Sequence, residues 1–493
     1  MLDIQASEKP TNHLLGDVLR YAPATILPAI LGVFSAAIFT RMFIPREYGE
    51  LILINSVTGP VVSVVSQMFG QPAGRYFADL KREGFGPVYS RVLSMILQRM
   101  TLGVIALLII AVGFIWLIEP RLSNWIFLLL GAGVGMGVQA ASSLVTPILP
   151  LVRDFRGYQR YALGSAALAL LIPLGLVLWQ GAHIVWMVWG GAMAGVIMLI
   201  PLLQRTNPHN PLRLAGITYG VNERQLFHRF LRYGTPMAVW FFAASMISTS
   251  DRYVIGAYVS TSAVAIYGSS YTIATQVIGL LTGPIVTATW PTIMTTWAET
   301  HSVSQVRTIM ARATDLYLML GIGLVGGSVA VGKDVVGIIL SPKYFQGYTV
   351  LAPVMAGLVL WGASMLGHKS MEVMERNDIM VWNAIGAAVL NLGLNILLVP
   401  RVGWHVAAYT TLFSYFAYTA ATWWIARRMV PWDIRFGRVL LYTVLAVGSD
   451  LLSNFLWSGG TGFLSLMVRG VLFSTVYFGT AALVYKHLGD RWV

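Results

Sequence analysis

The chain has 493 residues, of which 56% are hydrophobic and only 11% charged, with a formal net charge of +13. A soluble domain carries roughly 25% charged residues, so this composition excludes a string of soluble domains. Cysteine is absent, which excludes disulfides, iron–sulfur clusters and cysteine-ligated zinc.

Apolar runs of about 20 residues recur along the whole length, enough for a helix to cross a bilayer core. They are continuous, not alternating in segments of about ten, which excludes a transmembrane β-barrel. The reading is an all-α polytopic membrane protein with about fourteen transmembrane helices. The first residues are mostly polar and no signal-peptidase pattern follows the first apolar run, so the N-terminus is expected to be retained. Spans one to six are expected at roughly 17–41, 48–74, 89–117, 123–152, 158–179 and 182–203. The polar stretch 204–226 follows. Spans seven to fourteen are expected at roughly 227–254, 264–296, 306–332, 346–367, 379–399, 404–426, 436–456 and 462–486. Asp450 and Arg469 interrupt the last pair. With an N-terminal start in the cytoplasm, about 25 of the 33 basic residues fall on that side, which predicts both termini cytoplasmic and assigns the high charge to topology, not to nucleic acid.

The chain repeats itself. LRYAP at 19–23 returns as LRYGTP at 231–236, Tyr48-Gly49 as Tyr267-Gly268, and Pro72 as Pro291. Six spans per copy make a parallel repeat, an architecture that places substrate between the halves. The expected division is an N-lobe (1–203), a cytoplasmic linker (204–226), a C-lobe (227–430) and a C-terminal helix pair (431–493).

Asp251-Arg252 followed by Ile255-Gly256 and Ala265-Ile266-Tyr267 resembles the seventh-span signature of the Wzx-type polysaccharide flippases. These belong to the MATE-like superfamily of multidrug, oligosaccharidyl-lipid and polysaccharide exporters. Asn391, Asn395, Pro400, Gly403, Ala407 and Ala408 match that family's eleventh-to-twelfth-span pattern, and Tyr48-Gly49 after Arg41 resembles its turn into span two. His405-Val406 departs from it, since many members carry small residues there.

The resemblance implies alternating access and a polyprenyl-diphosphate-linked oligosaccharide as substrate. The substrate would pass from the cytoplasmic to the outer leaflet of a bacterial inner membrane, for O-antigen and lipopolysaccharide, capsule or exopolysaccharide. It further implies membrane lipids, a polysaccharide polymerase and chain-length machinery as partners, a monomer by default, and no cofactor. The superfamily alternatives are a cation-coupled multidrug antiporter and a lipid II flippase. The antiporter is disfavoured because acidic residues within spans are scarce, Asp251, Asp315 and Asp450 being the main ones.

An ionisable group inside a membrane is a functional candidate by default. Arg252 has three readings: it faces the central cavity and attracts phosphate with Asp251 tuning it, the two form an ion pair closing the outer gate, or they are a solvated cap. Arg41 at the outer end of span one either donates its planar fork to diphosphate or snorkels to the interface. Arg20 and Arg232, at matching inner ends of spans one and seven, gather an anionic headgroup or simply obey the positive-inside rule. Asn55, Gln67, Gln71 and Gln139, with Ser143, hydrogen-bond sugar hydroxyls or join helices. Asn391 and Asn395, spaced i, i+4, read as structural.

Gly131, Gly133, Gly135 and Gly137 lie inside an apolar span with no preceding strand, so they read as a helix-packing face, not a dinucleotide loop. No phosphate-binding loop and no histidine spacing for metal occurs, and no catalytic residues or metal site are expected. A membrane-embedded glycan polymerase or transferase would require a long outer loop or a carboxylate–histidine cluster, and the outer loops are short.

Overall fold

The computed structural model describes residues 10–82, 86–118, 123–151, 154–206, 221–457 and 459–489. They form α1 (Pro10–Met42), α2 (Pro45–Arg82), α3 (Gly86–Ile118), α4 (Ser123–Val145), α5 (Ile148–Leu151), α6 (Phe155–Gln180), α7 (Ile184–Thr206), α8 (Val221–Tyr258), α9 (Thr261–Thr300) and α10 (Val303–Ile339). After a 3₁₀ turn at Pro342–Gly347 come α11 (Tyr348–Gly367), α12 (Lys369–Val373), α13 (Asn377–Val402), α14 (Val406–Ala426), α15 (Phe436–Leu456) and α16 (Phe463–Gly489). No strand occurs among the described residues. The fourteen long helices fall where the apolar runs place them. One expected span is divided: Pro147 cannot donate to the helix ladder, and α4 ends before it while α5 begins after it.

Twelve of the long helices are apolar enough to cross a membrane by length and composition. The other two, α8 and α14, carry the most polar interior faces. α8 holds Asp251 and Arg252, with Glu223, Arg224, Arg229 and Arg232 near its start. α14 is rich in hydroxyls, of which Thr410, Thr411, Ser414, Thr419 and Thr422 are buried.

In hydrocarbon such groups must find partners inside the protein, and the buried amides and hydroxyls between α8, α13 and α14 do. Ser250 donates to Asn391 Oδ1 (2.8 Å), Asn391 Nδ2 donates to Thr411 (3.2 Å), and Asn395 Nδ2 donates to Asn391 Oδ1 (3.2 Å). Thr410 closes the network on Asn395 Oδ1 (2.6 Å). Asn391 and Asn395 are thus enclosed, tying α13 to α8 and α14. The outer surface is the reverse: Trp179, Trp382 and Phe455 are more than 70% exposed, as expected for a lipid-facing belt.

The two interrupting charges of the last pair also have protein partners. Asp315 on α10 accepts from Arg438, and lies 3.5 Å from Arg435 and 3.4 Å from the Tyr442 hydroxyl, all from α15 or its approach. Asp334, nearer the other end of α10, accepts from Gly462 N (2.8 Å) and Ser465 (3.1 Å), with Arg469 at 3.8 Å. Arg469 also donates to Asn454, which in turn bonds Asp450 (3.0 Å). Both α15 and α16 are fastened to α10 in this way.

A seam runs between the two repeats, where α2 packs along α8 and α9 and α1 packs on α9. The repeated Tyr-Gly pairs meet there. A Cβ on Gly49 would strike the Thr261 carbonyl at the start of α9, and one on Gly268 would lie 2.9 Å from Ile52 on α2. Gly234, from the second LRYGTP copy, would strike the Met68 carbonyl of α2. Glycine lets these backbones touch, and close van der Waals approach is what joins helices in lipid.

At the face opposite the two chain ends, Arg41 donates to the carbonyls of Ile339 (2.6 Å) and Ile338 (2.7 Å) that terminate α10. Ser341 N donates to Thr40 (3.4 Å) and the Tyr344 hydroxyl to Phe43 O (3.3 Å). At the terminal face, Tyr76 stacks on Phe230 (5.7 Å), Phe69 on Phe227 (6.3 Å), and Arg91 pairs with Glu223 (2.8 Å).

Candidate functional site

Two chambers flank this seam. The larger, about 780 Å³, lies among α1, α2, α4, α6 and α7. The glycine run keeps α4 tight against both neighbours: Gly131 and Gly135 face Trp189 and Ala192 of α7, while Gly133 and Gly137 face Leu108 and Val104 of α3. The chamber wall presents Asn55, Thr58, Gln139, Ser142, Ser143, Thr146, Tyr161 and Ser165, and no acidic or basic side chain among the described residues. The hydroxyls of Ser143, Thr146 and Ser165 donate back to carbonyls one turn earlier at 2.6–2.7 Å, so they present lone pairs. The side-chain amides of Asn55 and Gln139 differ. Neither bonds a protein partner among the described residues, and both residues are exposed to the chamber.

The second chamber, about 490 Å³, lies among α8, α9, α11 and α14. Its walls are aromatic: Trp240, Phe241, Tyr271, Trp361 and Tyr415. Trp240 stacks on Trp361 at 5.8 Å, and Trp361 meets Tyr415 at 5.4 Å. Behind them the Tyr418 hydroxyl bonds His368 Nε2 (2.6 Å) and accepts from Trp240 Nε1 (3.3 Å), which fixes the ring.

Arg252 is the one charged residue lining this chamber among the described residues. Its guanidinium carbon sits 4.8 Å from the Tyr271 ring centre, and its Nη1 is 3.4 Å from Ser56 Oγ across the seam. Its Nε is buried without a partner. The Asp251 carboxylate is turned away: it accepts from the Tyr267 hydroxyl and from the backbone N–H of Arg252 (2.8 Å), fully buried behind the wall. Arg252 therefore makes no ion pair among the described residues and keeps donors for a ligand.

The other expected site residues are dispersed. Arg41 is spent on the α10 carbonyls at the far end of the seam. Arg232 is exposed near the start of α8, and the side chain of Arg20 lies outside the described residues. Gln67 and Gln71 bond each other (2.8 Å) and line neither chamber, because they stand beyond the stretch of α2 that carries Leu51, Asn55 and Thr58 to the larger chamber. Sequence reasoning misses the five aromatic residues of the second chamber. Within apolar spans a ring facing a cavity and a ring facing lipid have the same signature.

No family model matches the chain. Its solved structural counterparts include the lipid II flippase MurJ in an inward closed conformation, with a TM-score of 0.75, 15% identity, and coverage of 95% of this chain and 99% of that one. They also include an inward-facing multidrug resistance MATE family transporter of the MOP superfamily, with a TM-score of 0.64, 14% identity, and coverage of 83% and 97%. At such identities the likeness is one of fold: the chain is a multi-pass membrane protein with the fold of MOP-superfamily flippases and transporters. Among curated proteins it is distantly similar to a probable low-salt glycan biosynthesis flippase, Agl15, of Haloferax volcanii, 20% identical over 270 residues. That match spans 55% of this chain and about half, 56%, of the relative.

Proposed function

We propose that this protein is a Wzx-type flippase that carries a polyprenyl-diphosphate-linked oligosaccharide from the cytoplasmic to the outer leaflet of a bacterial inner membrane, for O-antigen, capsule or exopolysaccharide assembly. The observation that carries the reading is Arg252: a guanidinium lining an aromatic-walled chamber, with no carboxylate partner among the described residues. Arginine matches phosphate because its planar fork gives parallel hydrogen bonds to two oxygens. Aromatic faces beside it suit the apolar faces of a sugar ring. The physical task is to take a charged, hydroxylated headgroup through the membrane while its lipid chain stays in hydrocarbon. Two halves meeting along a glycine-lined seam perform it by rocking, with both termini in the cytoplasm as the basic residues direct.

The antiporter alternative needs a carboxylate in reach of a cationic ligand. Asp251, Asp315, Asp334 and Asp450 are each held by protein partners, and none lines either chamber. A lipid II flippase differs mainly in the sugar carried. The test is reconstitution with a labelled polyprenyl-diphosphate oligosaccharide, wild type beside Arg252→Ala, following leaflet accessibility. Transport that falls at least about tenfold in the variant, the worth of one charge-assisted hydrogen bond, supports the reading. Dye efflux driven by a proton gradient, with no lipid movement, would overturn it in favour of the antiporter.

A further inference from the structure

The two chambers differ in charge, and the difference bears on which glycan the protein accepts. Arg252 supplies the second chamber with a positive charge. The larger chamber has none among its described lining residues; it offers two unspent amides, Asn55 and Gln139, within a ring of hydroxyl oxygens. Each amide brings two N–H donors and a carbonyl with two lone pairs. That set pairs with groups that both donate and accept, such as sugar hydroxyls and acetamido groups.

It has no counter-charge to offer a sugar carboxylate or sulfate. A carboxylate moved from water into a site without a counter-charge loses several kcal/mol of solvation, whereas a hydroxyl paired with an amide loses little. The bonding within the chamber points the same way. Ser143, Thr146 and Ser165 have turned their protons to their own helices. Their outward lone pairs accept from O–H and N–H groups and repel anions. Small residues at Gly131, Ala132, Gly135, Gly191, Ala192 and Gly195 keep the space open to a bulky, uncharged group.

We infer that the larger chamber is the glycan subsite and selects an uncharged oligosaccharide, read by Asn55 and Gln139, while Arg252 in the neighbouring chamber holds the diphosphate. This rests on the flippase reading above and adds to it the class of sugar. Arg252 confers affinity for any polyprenyl diphosphate. Asn55 and Gln139 set which headgroup travels with it.

The test compares two synthetic polyprenyl-diphosphate disaccharides in proteoliposomes, one built of N-acetylated neutral sugars and one ending in a uronic acid. Wild type should move the neutral lipid at least about tenfold faster, because the carboxylate would enter the chamber without a counter-charge. Gln139→Lys should narrow or invert that ratio by placing a cation in the chamber. Asn55→Ala should weaken competition by the neutral disaccharide lipid while leaving competition by sugar-free polyprenyl diphosphate unchanged, which a general folding defect would not do. Equal rates for both lipids in wild type, or a faster anionic lipid, would overturn this inference and leave the flippase reading intact. Movement of neither lipid, with sugar-free polyprenyl diphosphate also unbound, would overturn the flippase reading itself.

Discussion

The two ends of the seam between the repeats are closed by different chemistry. At the face opposite the chain termini the contacts are to backbone: Arg41 on two α10 carbonyls, Tyr344 on Phe43 O, and Gly49 against the Thr261 carbonyl. At the terminal face one backbone approach, Gly234 against the Met68 carbonyl, is joined by contacts between side chains: stacked rings from α2 and α8 and the Arg91–Glu223 pair. Backbone carbonyls are fixed by their helices, so a seal made on them has one geometry and opens as a unit. Rings and long charged side chains can slide and exchange partners. The seam is therefore held by backbone contacts alone at one end, and at the other by a backbone contact together with side chains that can adjust.

The largest expected effect comes from breaking the backbone-held end at its closest approach. Gly49→Leu drives a side chain into the Thr261 carbonyl and should abolish transport and lower the thermal midpoint in detergent. Gly59→Ala, ten residues along the same helix with open space around it, should be tolerated or stabilise by up to about 1 kcal/mol. Equal damage from both would show that glycine matters in α2 for a reason other than the seam.

Next comes Arg41→Ala, which frees the α10 carbonyls. A cysteine placed in the larger chamber at Ser142 should then react with a membrane-impermeant thiol reagent from the Arg41 side several-fold faster. Arg41→Lys should restore little, since a single ammonium cannot reproduce the guanidinium's fork on two carbonyls. An unchanged rate would remove Arg41 from the closure.

A smaller effect is expected at the terminal end. Arg91 is 47% exposed, so Glu223→Gln should change stability by only about 0–1 kcal/mol and shift accessibility less than Arg41→Ala does. A larger change than at Arg41 would reverse the comparison. Smallest of all is the effect expected at the Asp154–Arg205 pair within the N-terminal half, where Asp154 also caps α6 through Gly157 N (2.9 Å). The hydrogen bond from Arg205 holds the Asp154 carboxyl below its usual range. Its stabilisation is present above the ordinary carboxylate range and fades as pH falls through the lowered value. Asp154→Asn should lose that acid-side slope in thermal unfolding and keep the cap.

Much of this was legible in the residues because hydrocarbon is a strict solvent. Fourteen long helices follow from apolar run lengths, although α1, α2 and α10 run about seven or eight residues past an expected end and Pro147 divides span four. The repeat is visible as Tyr48-Gly49 and Tyr267-Gly268, but that both glycines lie in the contact between α2 and α9 is a property of the packed halves. Arg252 stands out because a charge in a span is expensive. Its neighbour Asp251 stands out equally, yet it turns away, since Tyr267 sixteen residues later supplies the partner. Asn55 and Gln67 look alike in sequence. Twelve residues apart on one helix, one reaches a chamber and the other bonds Gln71. Which side of a helix meets a cavity depends on neighbours far along the chain, and no local pattern records it.

The fastening of α15 and α16 to α10 has a consequence for how the protein is made. Asp315 and Asp334 wait for partners 123 and 131 residues downstream, at Arg438 and Ser465. At synthesis rates of roughly 5–20 residues per second, that interval is on the order of 6–26 seconds. During it α10 has left the ribosome with two carboxylates that no completed neighbour yet satisfies. The nascent chain must hold α10 beside the insertion machinery, or against α9 and α11, until the last two helices arrive. Premature termination before α15 would thus yield a chain marked for quality control by two stranded acids rather than a stable shorter protein.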